Sequence, residues 1–202
     1  HHGALDIAYL KCVQDLIVSS PRNGNELRNL LYTALEYKDG PFAIRYPKAS
    51  SEEFDQNLQA ELLPIGSWEV LQNGNDVAIL AVGPLTYLAL EAAEELKKLD
   101  ISCEVVNCRF IKPMDENYLE FMLEKFSSVL TIEEGVRSGG FGEGVLSWLS
   151  TNNYKGNSSI ISLPDKFVEH GPRDLLLEKW GINKEQIIKT VTSFKSSLKT
   201  EF

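Results

Sequence analysis

Two periods of hydrophobic residues take turns along the chain. The runs LIVSS (16–20), DVAILAVG (76–83), SVLTIEE (128–134) and SSIISLP (158–164) are almost continuously apolar and bounded by turn residues. That pattern belongs to strands buried on both faces. Helical periodicity fills the intervals. In residues 21–40, Pro21, Asn23 and Asn25 supply turn and cap chemistry, Leu27, Leu30, Leu31, Ala34 and Leu35 fall on one helical face, and Asp39-Gly40 stops the helix. PFAIRYP (41–47) reads as the next strand, ended by Pro47. LTYLALEAAEELKKL (85–99) is an amphipathic run of strong helix formers, and MDENYLEFMLEKF (114–126) is a helix whose acidic first turn suits its dipole. GEGVLSWLS (142–150) is a helix opened by glycines, and SCEVVNCRF (102–110) reads as one strand. GSWEVLQNG (66–74) alternates polar and apolar residues and ends at a turn, as an edge strand entering a hairpin would. Two helices, near 172–180 and 183–197, complete the pattern.

Strands alternating with helices predict a three-layer α/β architecture. Residues 16–47 make a strand–helix–strand unit of a parallel sheet. Two parallel strands and one helix leave most of their apolar surface wet, so residues 1–48 are expected to be the last third of a domain whose front is missing. Residues 49–64, polar and acidic and ended by Pro64, read as an interdomain linker, and 65–202 as a complete second domain.

The 43% hydrophobic and 24% charged content of the 202 residues is that of a soluble globular protein with a sizeable core. No apolar run approaches the roughly 20 residues needed to span a bilayer, and the first residues lack the order of a signal peptide. A net charge of −9 argues against nucleic acid or an anionic membrane as partner. An anionic substrate would have to be held by a local basic group. Cys12, Cys103 and Cys108 are odd in number and lack metal-ligand spacing, so they read as reduced, buried thiols of a cytosol-like compartment. Cys103 and Cys108, five apart on one strand, are expected on opposite faces.

Five groups could carry chemistry. SGGFGEG (138–144), between a strand and a helix, could receive a phosphate on backbone N–H groups, but its spacing matches neither dinucleotide nor P-loop fingerprints, and a tight packing turn is the simpler reading. Glu133 and Glu134 could do acid–base work, yet neighbours on a strand face opposite ways, so one is expected in solvent and the other in a pair. His170, on a loop, reads as a capping or packing histidine. Arg45 and Lys48 sit at the carboxyl end of a parallel strand, where ligands of open α/β sheets bind; two cations there could clamp a phosphate, and a surface salt bridge is the plainer alternative. His1 and His2, taken alone, read equally well as a tag remnant.

Taken in order, HHGALDIAYLKC, PRNGNELRNLLYTAL, DGPFAIRYPK, LPIGSWEVL, DVAILAVG, VVNCRFIKPMDE, TIEEGVRSGGFGEGVL and LPDKFVEHGPRDLL resemble the C-terminal third of 1-deoxy-D-xylulose 5-phosphate synthases, transketolase-like thiamine diphosphate enzymes. The resemblance runs from residue 1 to about 190. It implies that residues 1–48 end a pyrimidine-binding domain, that 65–202 form a transketolase C-terminal domain with a mixed, mostly parallel sheet, and that HHGALD is native sequence, with Leu5 where the family has phenylalanine.

The implied reaction joins pyruvate to D-glyceraldehyde 3-phosphate with release of CO2, on thiamine diphosphate and Mg²⁺. The product is a precursor of isoprenoids, thiamine and pyridoxal. His1 matches the histidine that reaches cofactor and substrate, and its ordinary pKa suits proton movement. His2 matches a variable position. Lys48 stands where the family's arginine binds the acceptor phosphate, keeping the charge but not the planar fork, whereas Arg45 is expected to be mainly structural. The family's Gly-Asp-Gly metal motif and its activating glutamate are absent, so no cofactor or metal ligand is assigned here and the chain alone is expected to be inactive. A homodimer, cytoplasmic or plastid-like in location, is implied. Two other readings stay open. One is a non-catalytic association or regulatory module of this fold. The other is a 2-oxo-acid dehydrogenase β-subunit, disfavoured because that family lacks HHGxxD and RYPK.

Overall fold

The computed structural model describes residues 3–51 and 53–198. Elements follow in the order α1 (Asp6–Lys11), β1 (Ile17–Ser19), α2 (Gly24–Glu36), β2 (Phe42–Ile44), β3 (Glu69–Gln72), β4 (Val77–Ala81), α3 (Leu85–Lys97), β5 (Cys103–Asn107), β6 (Phe110–Lys112), α4 (Glu116–Lys125), β7 (Ser128–Val136), α5 (Phe141–Thr151), β8 (Asn157–Leu163), α6 (Arg173–Lys179) and α7 (Lys184–Leu198). The main sheet has the order β3-β5-β4-β7-β8; β5, β4, β7 and β8 are parallel and β3 is antiparallel to β5.

The period-two pattern places the strands between two helical layers. Val77, Ile79, Ala81, Cys103 and Val105 turn to one face, against Leu85, Ala89, Ala92 and Leu96 of α3 and Ile187 and Val191 of α7. Ala78, Leu80, Val106 and Cys108 turn to the other, against Leu119 and Met122 of α4 and Phe141, Val145 and Leu149 of α5. The mixed three-layer α/β architecture is therefore the one the sequence predicts. Cys103 and Cys108 lie in opposite layers, buried and unpaired, and burial drives the Cys103 thiol up to about 12 and the Cys108 thiol well above its ordinary value.

A second, three-stranded sheet has the order β2-β1-β6. Here the structure departs from the expected single strand over 102–110. After β5 the chain leaves the main sheet, and β6 pairs antiparallel with β1, Val18 opposite Lys112 and Ser19 opposite Phe110. The edge of β1 that a lone β–α–β unit would leave open is thus filled from within the chain. Phe110 is wholly buried with Ile17 and Leu30 and meets Phe42 edge-on at 6.3 Å. Trp68 Nε1 donates to its carbonyl at 2.8 Å. The expected hairpin after 66–74 does not form either, because β3 pairs with β5 rather than with its successor β4.

Helix α2 is capped by Asn23, whose side chain accepts from the Glu26 N–H at 3.0 Å. Its predicted apolar face is only half covered: Leu30 is buried, but Leu31 and Leu35 are exposed. Buried Glu26 accepts from the Arg22 N–H and from the Asn107 amide, both at 2.7 Å, and so ties α2 to the main sheet. Residues 49–64 are not a free tether. Ser51 and Asp55 bond to the start of α2 through the Gly24 N–H and Asn25, and Glu61 and Leu63 donate their N–H groups to Asn29 and Thr33.

Two stability tests follow from this packing. Phe110→Ala should cost about 3–5 kcal/mol in urea unfolding; a loss under about 1 kcal/mol would mean that β6 does not hold the two sheets together. Burial pushes the Glu26 carboxyl above its ordinary value of 4.5, against the pull of its hydrogen bonds and Arg109. The folded state then keeps that proton longer than the unfolded state, so stability from this group falls as pH rises from 4.5. Glu26→Gln cannot titrate. The wild type's stability relative to this variant should therefore decline with rising pH, and a pH-independent difference would contradict the assignment.

Candidate functional site

The carboxyl ends of β2 and β7 point toward one cleft of about 500 Å³. It is walled by Gly3, Ala4 and Asp6 before and within α1, by Arg45–Lys48 after β2, by Glu134 near the end of β7, and by His170–Arg173 where the chain enters α6. Tyr46, Pro47, Arg173 and Leu177 also line a neighbouring cavity of about 670 Å³ that extends over the N-terminus of α2.

Of the two strand-end cations, Arg45 is committed to structure and Lys48 is not. The Arg45 guanidinium donates from Nε to both Asp6 oxygens at 2.9 and 3.0 Å, and from Nη2 to the carbonyls of Gly3 and Glu134. Lys48 is exposed at the cleft and has no hydrogen-bond or ion-pair partner among the described residues. Arg173 grips the Glu134 carboxylate with Nε and Nη2 at 2.7–3.0 Å. His170 lies exposed on the same wall as Arg173. His1 and His2 lie outside the described residues.

Glu133 and Glu134 do face opposite ways, but neither is in solvent. Glu133 is 0% exposed and accepts from the Phe141 and Gly142 N–H groups, both at 2.8 Å. Its carboxylate thus occupies the N-terminus of α5, the place where SGGFGEG could have received a phosphate. A Cβ on Gly140 would come within 2.7 Å of both Glu133 oxygens, so the glycine serves close packing around an internal anion. Burial pushes the Glu133 carboxyl up, while those two N–H groups, Lys11 and Arg45 pull it down. Lys11, beside it, donates to the Gly140 carbonyl and is pulled below its ordinary value by burial.

The described residues do not fit a diphosphate–metal cofactor. The glycine-rich turn is filled by Glu133, and among the described residues no group of three or more His, Cys, Asp or Glu could hold a metal ion. No helix among them is long and apolar enough to cross a membrane. What the cleft can do is hold an anion at Lys48. Sequence reasoning missed Asp6 and Arg173. Both lie in quoted stretches, but their partners are 39 residues away in each instance, and nothing local in the sequence pairs them.

Residues 1–52 match the family model of the transketolase pyrimidine-binding domain, and residues 66–187 that of the transketolase C-terminal domain. The chain is 43% identical over 194 residues to a 1-deoxy-D-xylulose-5-phosphate synthase of Geobacillus sp. (strain WCH70), and 41% identical over the same length to that of Bacillus cereus (strain AH820). Each alignment covers 95% of this chain and 30% of the relative, so the chain spans about 30% of the length of these curated relatives. Among solved structures it is similar to a chain described as "Split gene transketolase, inactive beta4 tetramer", with a TM-score of 0.85, 29% identity, and coverage of 94% of this chain and 61% of that one. With more than half of its length matched by the C-terminal domain model and the preceding residues by the pyrimidine-binding model, the chain belongs to the transketolase family.

Proposed function

We propose that this chain is the C-terminal part of a thiamine diphosphate-dependent synthase that condenses pyruvate with D-glyceraldehyde 3-phosphate to 1-deoxy-D-xylulose 5-phosphate and CO2. The observation that carries the reading is identity of 41–43% to such synthases over 95% of the chain. The cleft supports it with the Lys48 ammonium, exposed and without a partner among the described residues, beside Gly3, Ala4 and Asp6. In this reading Lys48 holds the acceptor's phosphate and His1 moves protons at the reacting oxygens. Arg45 does not hold the phosphate and is structural. The cofactor and its Mg²⁺ are held by other parts of the protein, in a cytoplasmic homodimer. The relative described as an inactive tetramer favours one further point: taken by itself, this chain associates without catalysing. Half-covered α2, with Leu31 and Leu35 exposed, supplies an apolar surface for that association.

Two measurements test this. In a protein joining this chain to the N-terminal part of such a synthase, Lys48→Ala should lower kcat/KM for glyceraldehyde 3-phosphate by about 10- to 150-fold, the worth of one charge-assisted hydrogen bond. Activity toward unphosphorylated glyceraldehyde and the pre-steady-state decarboxylation of pyruvate should change little. Equal losses for both aldehydes would remove Lys48 from the phosphate site. For the 202-residue chain alone, millimolar thiamine diphosphate with Mg²⁺ should give no saturable calorimetric signal, and sedimentation at tens of micromolar should show species larger than 22.6 kDa. A micromolar dissociation constant, about −8 kcal/mol, would overturn the first expectation, and a purely monomeric boundary the second.

A further inference from the structure

Segment Gly3–Lys11 precedes β1 and is matched with the pyrimidine-binding domain, yet it is bonded and packed to residues of the C-terminal domain along its length. The Ala4 carbonyl accepts from the Val136 N–H at 2.8 Å, at the end of β7. Ile7 is fully buried in the layer that also holds Phe141 and Val145 of α5. Ala8 lies over Gly139, which has φ +71° and where an added Cβ would stand 3.1 Å from the Ala8 Cβ. Lys11 donates to the Gly140 carbonyl. Arg45 completes the seat, joining Asp6 and the Gly3 carbonyl to the Glu134 carbonyl. The glycine-rich turn, having no vacancy for a phosphate, is a saddle for α1.

We infer that the C-terminal domain seats the segment that follows His1, with Gly139 as the positioning residue on its side and Arg45, from the pyrimidine-binding part, as the clamp that ties the segment to β7. A shift of about 1 Å in a catalytic group can lower a rate about 10²-fold, so a domain that fixes this segment from outside acts on catalysis without touching substrate. The kinetic half of the inference rests on the proposed role of His1; the seating itself does not.

The test uses amide hydrogen exchange on the 202-residue chain and steady-state kinetics on the complete synthase, each with two variants. Ala8→Leu adds bulk against Gly139 without altering the backbone there. Arg45→Lys keeps the charge but cannot reach Asp6, Gly3 and Glu134 together. Exchange at Val136 and across Ile7–Lys11 should quicken by about tenfold or more, while Ile79 and Leu80 of β4 remain protected. In the complete enzyme kcat should fall by about 10²-fold with KM for pyruvate little changed. If Ala8→Leu also exposes β4, the milder Arg45→Lys decides. Unchanged exchange at Val136 in the folded variants overturns the seating. Faster exchange with unchanged kcat overturns the positioning role. A complete wild-type protein lacking synthase activity sinks the functional reading and the kinetic half with it, whereas the exchange result still judges the seating.

Discussion

Parallel strands must be covered on their faces and paired at their edges, and β1 meets that constraint only because the chain crosses from β5 to β6. In the space of Cys108 and Arg109 the backbone leaves one sheet and enters another. Phe110 is then driven into the pocket made by Ile17, Leu30 and Phe42. That crossing decides how β2 lies against the main sheet. It therefore also decides where Arg45 and Lys48 stand relative to β7 and the loop before α6. Nearby polar contacts hold the same joint from the side: Glu26 bonds to Asn107, and Arg109 donates to the Ser67 carbonyl and hydroxyl at 2.8–2.9 Å.

Much of this was legible because it rests on period. The alternation that separates Cys103 from Cys108, and Val77 from Ala78, needs only the geometry of an extended chain. The helices were legible from their apolar stripes and caps; Asn23 does cap α2, accepting from the Glu26 N–H at 3.0 Å. The β5–β6 crossing was not legible. SCEVVNCRF (102–110) is apolar enough to read as one strand throughout, and the break is imposed by β1, almost a hundred residues earlier. Leu31 and Leu35 show the converse failure: the stripe was real, but the described residues provide nothing to cover it.

The site was legible in its types and not in its partnerships. Alternation separated Glu133 from Glu134, but their partners lie on the α5 turn and on α6. The glycine-rich turn looked equally able to take a ligand or to pack closely, because glycine serves both purposes and the filling carboxylate comes from the preceding strand. Spacing alone leaves Arg45 and Lys48 alike as two cations at one strand end, and only the family resemblance told them apart. In the structure Asp6 and the Gly3 and Glu134 carbonyls engage Arg45, while Lys48 has no partner among the described residues and keeps its charge for the cleft.

The lacing of residues 49–64 along α2 bears on how such a chain can be divided in evolution. A flexible tether tolerates lengthening, shortening or a break between genes, because its length alone matters. Here Asn25, Asn29 and Thr33, spaced four residues apart along α2, accept the N–H groups of Asp55, Glu61 and Leu63 of the connecting segment. An insertion would shift those donors out of step with the helix, and a break would strip α2 of its cover. Natural rearrangements that recombine this C-terminal domain with other partners should therefore carry α2 and its strap along as one cassette, with the seam before α1 rather than within the connection itself.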